Sequence, residues 1–447
     1  MKESEFIILG GGWAGLLCGY ELKKKYRQSK ITILEASEAN RSGGLLGSET
    51  IDGFIFDTAG PHILFSRNQK ILEEIVSFLG DNVRKIERKA FVFFQGKYVP
   101  YPFENGIYVL DPQKRAEFGG DILSAMIKIA ENKNWKPKTF KDWIYGYFGN
   151  AIAREYLEPY NRKIWKTDPV DMDADWVFSP GRLPFPDLSE IVSSISGLKS
   201  VGYKEQAYFY YPKNGGIKSL YNSLYKRVIS LGVEFISNCT VTKVEKNHGV
   251  WLINNTYTCS KIINTLPIIA LPEIFNFPTE INDIISNLEY NREIVVGIAL
   301  KKKGPEEHVV YIPDKEIVFH RLTWMSNLSE DNPGNFSNLI AETTIPMHAQ
   351  IDLELVTKAT IDGLLKMKII DSTTEILFSK VWMNEYGYPI YKIGHQETRN
   401  KIFNFFKDNG IVSVGRWGSW HYWNTDKVYE AVKEAVESIN DLNTSIS

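Results

Sequence analysis

EFIILGGGWAG, residues 5–15, is the most informative stretch of the chain. Its apolar start reads as a short buried strand, three consecutive glycines turn the backbone, and LLCGYELKKKY (16–26) has the spacing of a helix. Gly10, Gly12 and Gly15 stand in G-x-G-x-x-G order, and a second apolar strand, KITILEA (30–36), brings Glu35 twenty residues after Gly15. The first glycine permits the tight turn and the second lets the backbone approach a pyrophosphate. The third lets helix and strand pack closely, and the helix N-terminus faces the anion. Glu35 is placed to accept hydrogen bonds from a ribose. A βαβ unit with a dinucleotide-binding turn therefore opens the chain.

The bulk composition narrows what surrounds this unit. At 447 residues the chain is too long for one ordinary core. It is 43% hydrophobic and 24% charged, and a net charge of −2 argues against a surface devoted to nucleic acid. Any anion site must be local, built from a few arginines in a cleft. Tyrosines (23) nearly match phenylalanines (24), which suits a pocket that is both flat and polar. Cys18, Cys239 and Cys259 are odd in number with no C-x-x-C spacing, so neither a disulfide framework nor a zinc site is expected. The seven histidines are scattered without an H-E-x-x-H pattern, so no metal is expected. No apolar run reaches the length of a membrane span and the N-terminus enters a strand at once, so the expected location is cytoplasmic.

Further signals separate FAD from NAD. Gly43 and Gly44 follow soon after the ribose acid, in RSGGLLGS (41–48), as suits an extended FAD running past a second loop. Gly60, Pro61 and His62, in GFIFDTAGPHILFS (53–66), would then reach the isoalloxazine ring. Helices are expected at 67–79, across 117–165 with interruptions at Pro137 and Gly149, at 352–368 and at 426–440. Strands are expected around a turn at Gly96, in hairpins over 233–265, over 293–345 and in GIVSVGR (410–416). Nucleotide-domain segments thus recur at the start, middle and end. The expected architecture is α/β, with a discontinuous Rossmann-like FAD-binding domain (1–90, 205–270, 380–447). A mainly helical substrate domain (91–204) and an antiparallel sheet domain (271–379) are inserted into it.

YVPYPFENGI (98–107), KPKTFKDWIYGYFGNAIAREYLEPYNRKIW (136–165), GYPIYKIGH (387–395) and GRWGSWHYWNTD (415–426), with the glycine motifs, resemble UDP-galactopyranose mutases. The likeness is to the eukaryotic-type branch and runs in order from residue 6 to about 435. The first motif is shared with amine-oxidase-like and protoporphyrinogen-oxidase-like flavoproteins; the later ones are more specific. The resemblance implies interconversion of the pyranose and furanose forms of a UDP-sugar through an N5–sugar adduct of reduced FAD, with NAD(P)H open as reductant. An FAD-dependent oxidoreductase is the alternative. Neither a membrane nor a nucleic acid is implied as partner, and a homo-oligomer stays open.

The same resemblance distributes roles. Arg182 in GRLPFPDL and Arg321 in VFHRLTW would bind the diphosphate and, with His62, form the catalytic set. Tyr311, Tyr388 and Tyr422 would give hydroxyls to the phosphates; Tyr101, Phe103, Glu104, Tyr156, Asn161 and Trp165 would receive the uridine. Val241, Gly415, Arg416 and Asp426 would touch the cofactor, and Asn424 the sugar region. Trp417 and Trp420 would pack beneath the site. Four positions depart from the family pattern. Glu104 replaces an amide, Leu328 a tyrosine at the mouth of the site, Phe93 an arginine associated with nicotinamide binding, and His421 another arginine.

Overall fold

A computed structural model describes residues 1–39, 41–178, 186–200, 202 and 207–439. The expected opening is present: strand Lys2–Leu9, a glycine turn, helix Trp13–Lys25, and strand Ile31–Leu34 in parallel register with the first. Tyr257–Asn264 pairs in parallel on the other side of Lys2–Leu9, and Glu234–Ile236 pairs with Ile31–Leu34. The strands 244–247 and 250–253 form a hairpin on the first half of Tyr257–Asn264, and Ile411–Ser413 pairs with its second half. Phe6–Leu9 and Ile31–Leu34 are buried throughout, as parallel strands covered on both faces must be. Helices Lys218–Ser230 and Thr425–Ser438 pack against Trp13–Lys25, so distant segments converge on the glycine turn.

A second sheet runs in the order 376–389, 290–300, 337–346, 321–324, 309–311, 90–94, 97–100. It is antiparallel except where 309–311 meets 90–94. The hairpin 90–100 and the strand 376–389 hydrogen-bond into this sheet, across the boundaries drawn from the sequence at 90/91 and 379/380. Backbone pairing, which composition does not reveal, decides where they belong.

The insertion is helical: Pro112–Glu131, Phe140–Ile152 and Glu158–Trp165 surround their own core of Phe103, Phe118, Phe140 and Trp143. Thr139 and Asp142 form a capping box, with N–H to side-chain bonds of 3.0 and 2.9 Å. Gly149, at φ +74°, kinks the second helix where a Cβ would meet the Asp121 backbone at 2.7 Å. One π-turn, Ala153–Leu157, follows and carries Tyr156 into the cleft wall. No helix among the described residues is long and apolar enough to cross a membrane.

Candidate active site

The glycine turn is built for close approach. Gly10 adopts φ +94°, and a Cβ on Gly15 would lie 2.0 Å from the Gly10 carbonyl oxygen. That spacing explains why helix and strand can touch only with glycine there. Gly12 is different: a Cβ on it would meet nothing within 4 Å. Gly44, at φ +57°, meets only the Gly12 Cα, at 3.8 Å. The two glycines thus border an open cradle at the start of helix Trp13–Lys25, whose N-cap Gly12 supplies no side-chain cap. The first-turn N–H groups are available to an anion. Glu35 accepts from Gly11 N (2.7 Å) through one oxygen and from Ser37 N (2.9 Å) through the other. A carboxylate has lone pairs beyond these two bonds, so a ribose can still be accepted. Tyr221, which the sequence reading did not single out, donates to the Gly11 carbonyl at 2.8 Å and packs against Gly43. The residues present fit an extended dinucleotide. Val241 lies among Leu45, Cys239 and Leu266 in an apolar cluster and does not line the neighbouring cleft.

That cleft, about 630 Å³, opens between the two sheets and the helical insertion. It gathers Pro61, His62, Tyr101, Phe103, Glu104, Tyr156, Asn161, Trp165, Tyr311, Arg321, Tyr388, Arg416, Tyr422, Asn424 and Asp426. Arg182 lies outside the described residues. Gly60 sits at the base, where a Cβ would strike the Glu342 carboxylate at 2.5 Å, and its carbonyl contacts His62 Nδ1 at 3.0 Å. Gly415, at φ +101°, lies against Ala14 of the first helix. Asp426, at the start of the last helix, accepts from Ser66 at 2.6 Å through one oxygen, while the other is buried without a partner.

The charged floor comes from strand register. Arg321 stands opposite Tyr311 on one side and Glu342 on the other. Its Nε donates to Glu342 Oε1 at 2.7 Å and its Nη2 to Oε2, a bidentate pair with the carboxylate fully buried. Glu293, on the next strand, is buried beside Glu342 and accepts from Tyr388 Oη at 3.2 Å. Burial, then the Glu342 charge, push Glu293 up to about 8, with Arg321 and Arg416 opposing. Arg416 donates to the Gly387 carbonyl at 2.6 Å and lies over the rings of Tyr422 (4.8 Å) and Tyr388 (5.7 Å). Arg88 was missed: inside RKIERKAF it reads as one more surface charge. It donates to Tyr311 Oη at 2.9 Å and lies over Tyr101 at 5.1 Å.

Some expectations need restating. Leu328 is not at the mouth of the site. It is fully buried beside Met325 and the Phe54–Phe56 strand, because the one-turn helix after Trp324 carries it into the core. Asn161 is committed within its own helix, donating to Leu157 O at 2.8 Å and accepting from Trp165 Nε1 at 3.1 Å. The Asn161 carbonyl therefore positions Trp165 in addition to facing the cleft. Trp417 and Trp420 belong to the apolar cluster behind the cleft. His421 is buried and stacked on Trp423 at 4.3 Å, and burial holds it neutral.

The model of flavin-containing amine oxidoreductases matches residues 13–437. The chain belongs to that family. A solved structure of reduced UDP-galactopyranose mutase superposes with a TM-score of 0.85 at 24% identity, covering 97% of this chain and 93% of that one. A putative protoporphyrinogen oxidase from Exiguobacterium sp. 255-15 superposes with a TM-score of 0.73 at 17% identity, covering 98% of each chain. Among curated proteins, coproporphyrinogen III oxidase of Staphylococcus aureus is 26% identical over 176 residues. That match spans 36% of this chain and 36% of the relative's length.

Proposed function

We propose that the chain holds FAD and interconverts the pyranose and furanose forms of a UDP-sugar, as the eukaryotic-type UDP-galactopyranose mutases it resembles do. The observation that carries this reading is the grouping of Arg321 with Tyr311, Tyr388 and Tyr422 on one cleft, whose wall residue Thr425 accepts through its carbonyl from Trp13 Nε1 at the start of the cradle helix, at 3.2 Å. When bound and reduced, FAD supplies the nucleophile for the anomeric carbon. The chain's own side chains handle the leaving group. Arg321 spends Nε and Nη2 on Glu342, which leaves Nη1 for a diphosphate oxygen. Glu342 thereby fixes the guanidinium before the ligand arrives, and a preorganised donor stabilises charge as it develops. The Tyr311 hydroxyl accepts from Arg88 and keeps its own hydrogen for a phosphate oxygen, whereas the Tyr388 hydroxyl is already given to Glu293; Arg416 adds a second cation held by Tyr422 and Tyr388. The wall of Tyr101, Phe103, Tyr156 and Trp165 suits a stacked base and excludes water from the sugar. His62 and Asn424 line the sugar side. Arg182 as a further diphosphate ligand rests on the family pattern alone.

A second reading, an FAD-dependent oxidoreductase, is favoured by the oxidase-type curated relative. One experiment separates the two. The enzyme is reduced anaerobically with dithionite, given excess UDP-galactofuranose, and products are counted per flavin by chromatography. The mutase turns over many times without consuming reductant, and the oxidised enzyme is inactive. One product or fewer per flavin, with the flavin reoxidised in step, selects the oxidoreductase. NADPH in place of dithionite tests the physiological reductant, since Phe93 removes a family arginine.

A further inference from the structure

Behind the cleft, outside the residues assigned to flavin or nucleotide, Asp173, Asp175 and His395 converge, with one ligand atom from each lying within 4.8 Å of the others. Asp173 and Asp175 lie on the segment that enters the short helix Asp175–Phe178 of the insertion. His395 is the first residue of helix His395–Asp408, on the far side of the chain in sequence. Two observations point to a missing ligand here. The His395 side chain is 94% buried (6% exposed), its Nδ1 aimed at the two carboxylates, 3.3 Å from Asp175 and 4.0 Å from Asp173. Neither His395 Nδ1 nor Asp175 Oδ1 makes a hydrogen bond, although the two are neighbours. Asp173 accepts from Gly394 N at 3.1 Å through Oδ2 and from Asp175 N at 3.2 Å through Oδ1, which leaves lone pairs on both oxygens, and the nearby cation Arg399 directs its Nε to the Ser419 carbonyl at 3.1 Å.

Two carboxylates side by side with an orphaned imidazole form a set that a divalent cation would satisfy. Metal bonds of roughly 2.0–2.2 Å place neighbouring ligand atoms about 3–3.5 Å apart. The His395–Asp175 distance of 3.3 Å is in that range, and Asp173 reaches it by a side-chain shift of under about 1 Å. One nitrogen and two carboxylate oxygens select a borderline transition ion over magnesium or calcium, which prefer all-oxygen shells. We propose that Asp173, Asp175 and His395 bind one divalent transition-metal ion of the zinc class, with water completing its shell, as a structural clamp between the insertion and the helix His395–Asp408.

The clamp abuts the cleft through Tyr391. Asp173 N donates to the Tyr391 carbonyl at 2.9 Å, and the Tyr391 ring meets His395 at 4.8 Å. It also stacks on Trp176 at 5.6 Å, and its hydroxyl accepts from Tyr422 N at 2.6 Å. The ion would therefore stiffen the wall that presents Tyr422 without touching substrate. This inference is independent of the mutase reading.

The test uses the full chain stripped with EDTA, desalted, and titrated with Zn²⁺ by calorimetry, with Co²⁺ added separately for its visible d–d bands. The expected result is one Zn²⁺ per chain, cobalt bands that Zn²⁺ abolishes, and a rise in melting temperature on zinc addition. His395→Gln and Asp175→Asn should each weaken Zn²⁺ at least about a hundredfold, beyond the 10–100-fold typical of a lost outer-shell partner. Circular dichroism checks that the variants fold; the cobalt bands of the parent protein stand even if one does not. Absence of stoichiometric Zn²⁺ binding, equal binding in folded variants, or Mg²⁺ binding as tightly as Zn²⁺ would each overturn the proposal.

Discussion

Gly12→Ala and Gly15→Ala make a matched pair, because one methyl group meets such different surroundings at the two positions. At Gly15 the new Cβ would lie 2.0 Å from the Gly10 carbonyl oxygen, which is backbone and cannot swing aside. Overpacking of that kind costs about 1–3 kcal/mol or more. At Gly12 the Cβ meets nothing, and φ −71°, ψ −168° is a conformation any residue adopts. Two small effects remain there. Alanine is a poorer N-cap than glycine by several tenths of a kcal/mol, and it stabilises by about 0.4–1 kcal/mol through the unfolded chain. The net change is near zero, within about 0.5 kcal/mol. Yet the Gly12 methyl would enter the cradle that the cofactor pyrophosphate is proposed to fill. Loss of one or two charge-assisted contacts, about 1.5–3 kcal/mol, weakens FAD roughly ten- to a hundredfold.

The assay has two arms. Flavin-free protein is melted by circular dichroism, and FAD affinity is measured by quenching of flavin fluorescence. Gly15→Ala should melt several degrees lower; Gly12→Ala should melt with the parent but bind FAD at least about tenfold more weakly. A Gly12→Ala protein that binds FAD like the parent would refute the cradle. If it melts as low as Gly15→Ala, the open space read from the glycine geometry is wrong.

Arg321→Met removes the cation that pairs with the buried Glu342 carboxylate, so it should cost about 3–5 kcal/mol by urea denaturation, with Arg321→Met/Glu342→Gln recovering part of that loss. A loss below about 1 kcal/mol, or no recovery, contradicts a bidentate pair at the cleft floor. Glu293 is raised, so the folded protein keeps a proton that the unfolded chain releases. Its contribution is full below the usual carboxylate range and is lost as pH rises toward about 8. Glu293→Gln should therefore gain stability relative to the parent from pH 5 to pH 9 in thermal melts, and parallel profiles would exclude it as the titrating group. UDP binding, by calorimetry, should weaken roughly ten- to a hundredfold in Arg321→Lys, which keeps charge but loses the planar fork.

How legible the molecule was depended on which force made each feature. The glycine turn could be read because its geometry excludes other residues, and Gly10, Gly12 and Gly15 each carry a separate requirement. Strand 376–389 was not identified, although it is fourteen residues long. It is the edge of its sheet and only half-buried along most of its length, so its apolar alternation is weak. Arg321 was found and Glu342 was not. Their pairing is a cross-strand register twenty-one residues apart, set by backbone hydrogen bonds rather than by any local spacing. The same holds for the Asp173–Asp175–His395 group, which unites an insertion loop with a helix start some 220 residues later.

The tail segment 415–426 illustrates where local rules yield to a site. A strand ends at Ser413 and a helix must begin at Thr425, so a few residues reverse direction behind a cleft. Trp420 takes φ +53°, a left-handed conformation that costs a non-glycine residue about 1–2 kcal/mol. The indole nitrogens of Trp417 and Trp420 are buried without hydrogen-bond partners, each of which costs about 1–3 kcal/mol more. Ordinary packing would favour phenylalanine or leucine there, which fill space without an unpaired donor. The large rings are tolerated because they press against each other at 5.5 Å and against Tyr290 and Tyr386. That packing places the next residues, Tyr422 to Asp426, at the cleft edge. Strain accepted in the segment that packs Gly415 on the cradle helix and meets Tyr391 through Tyr422 N is what a preorganised binding surface demands.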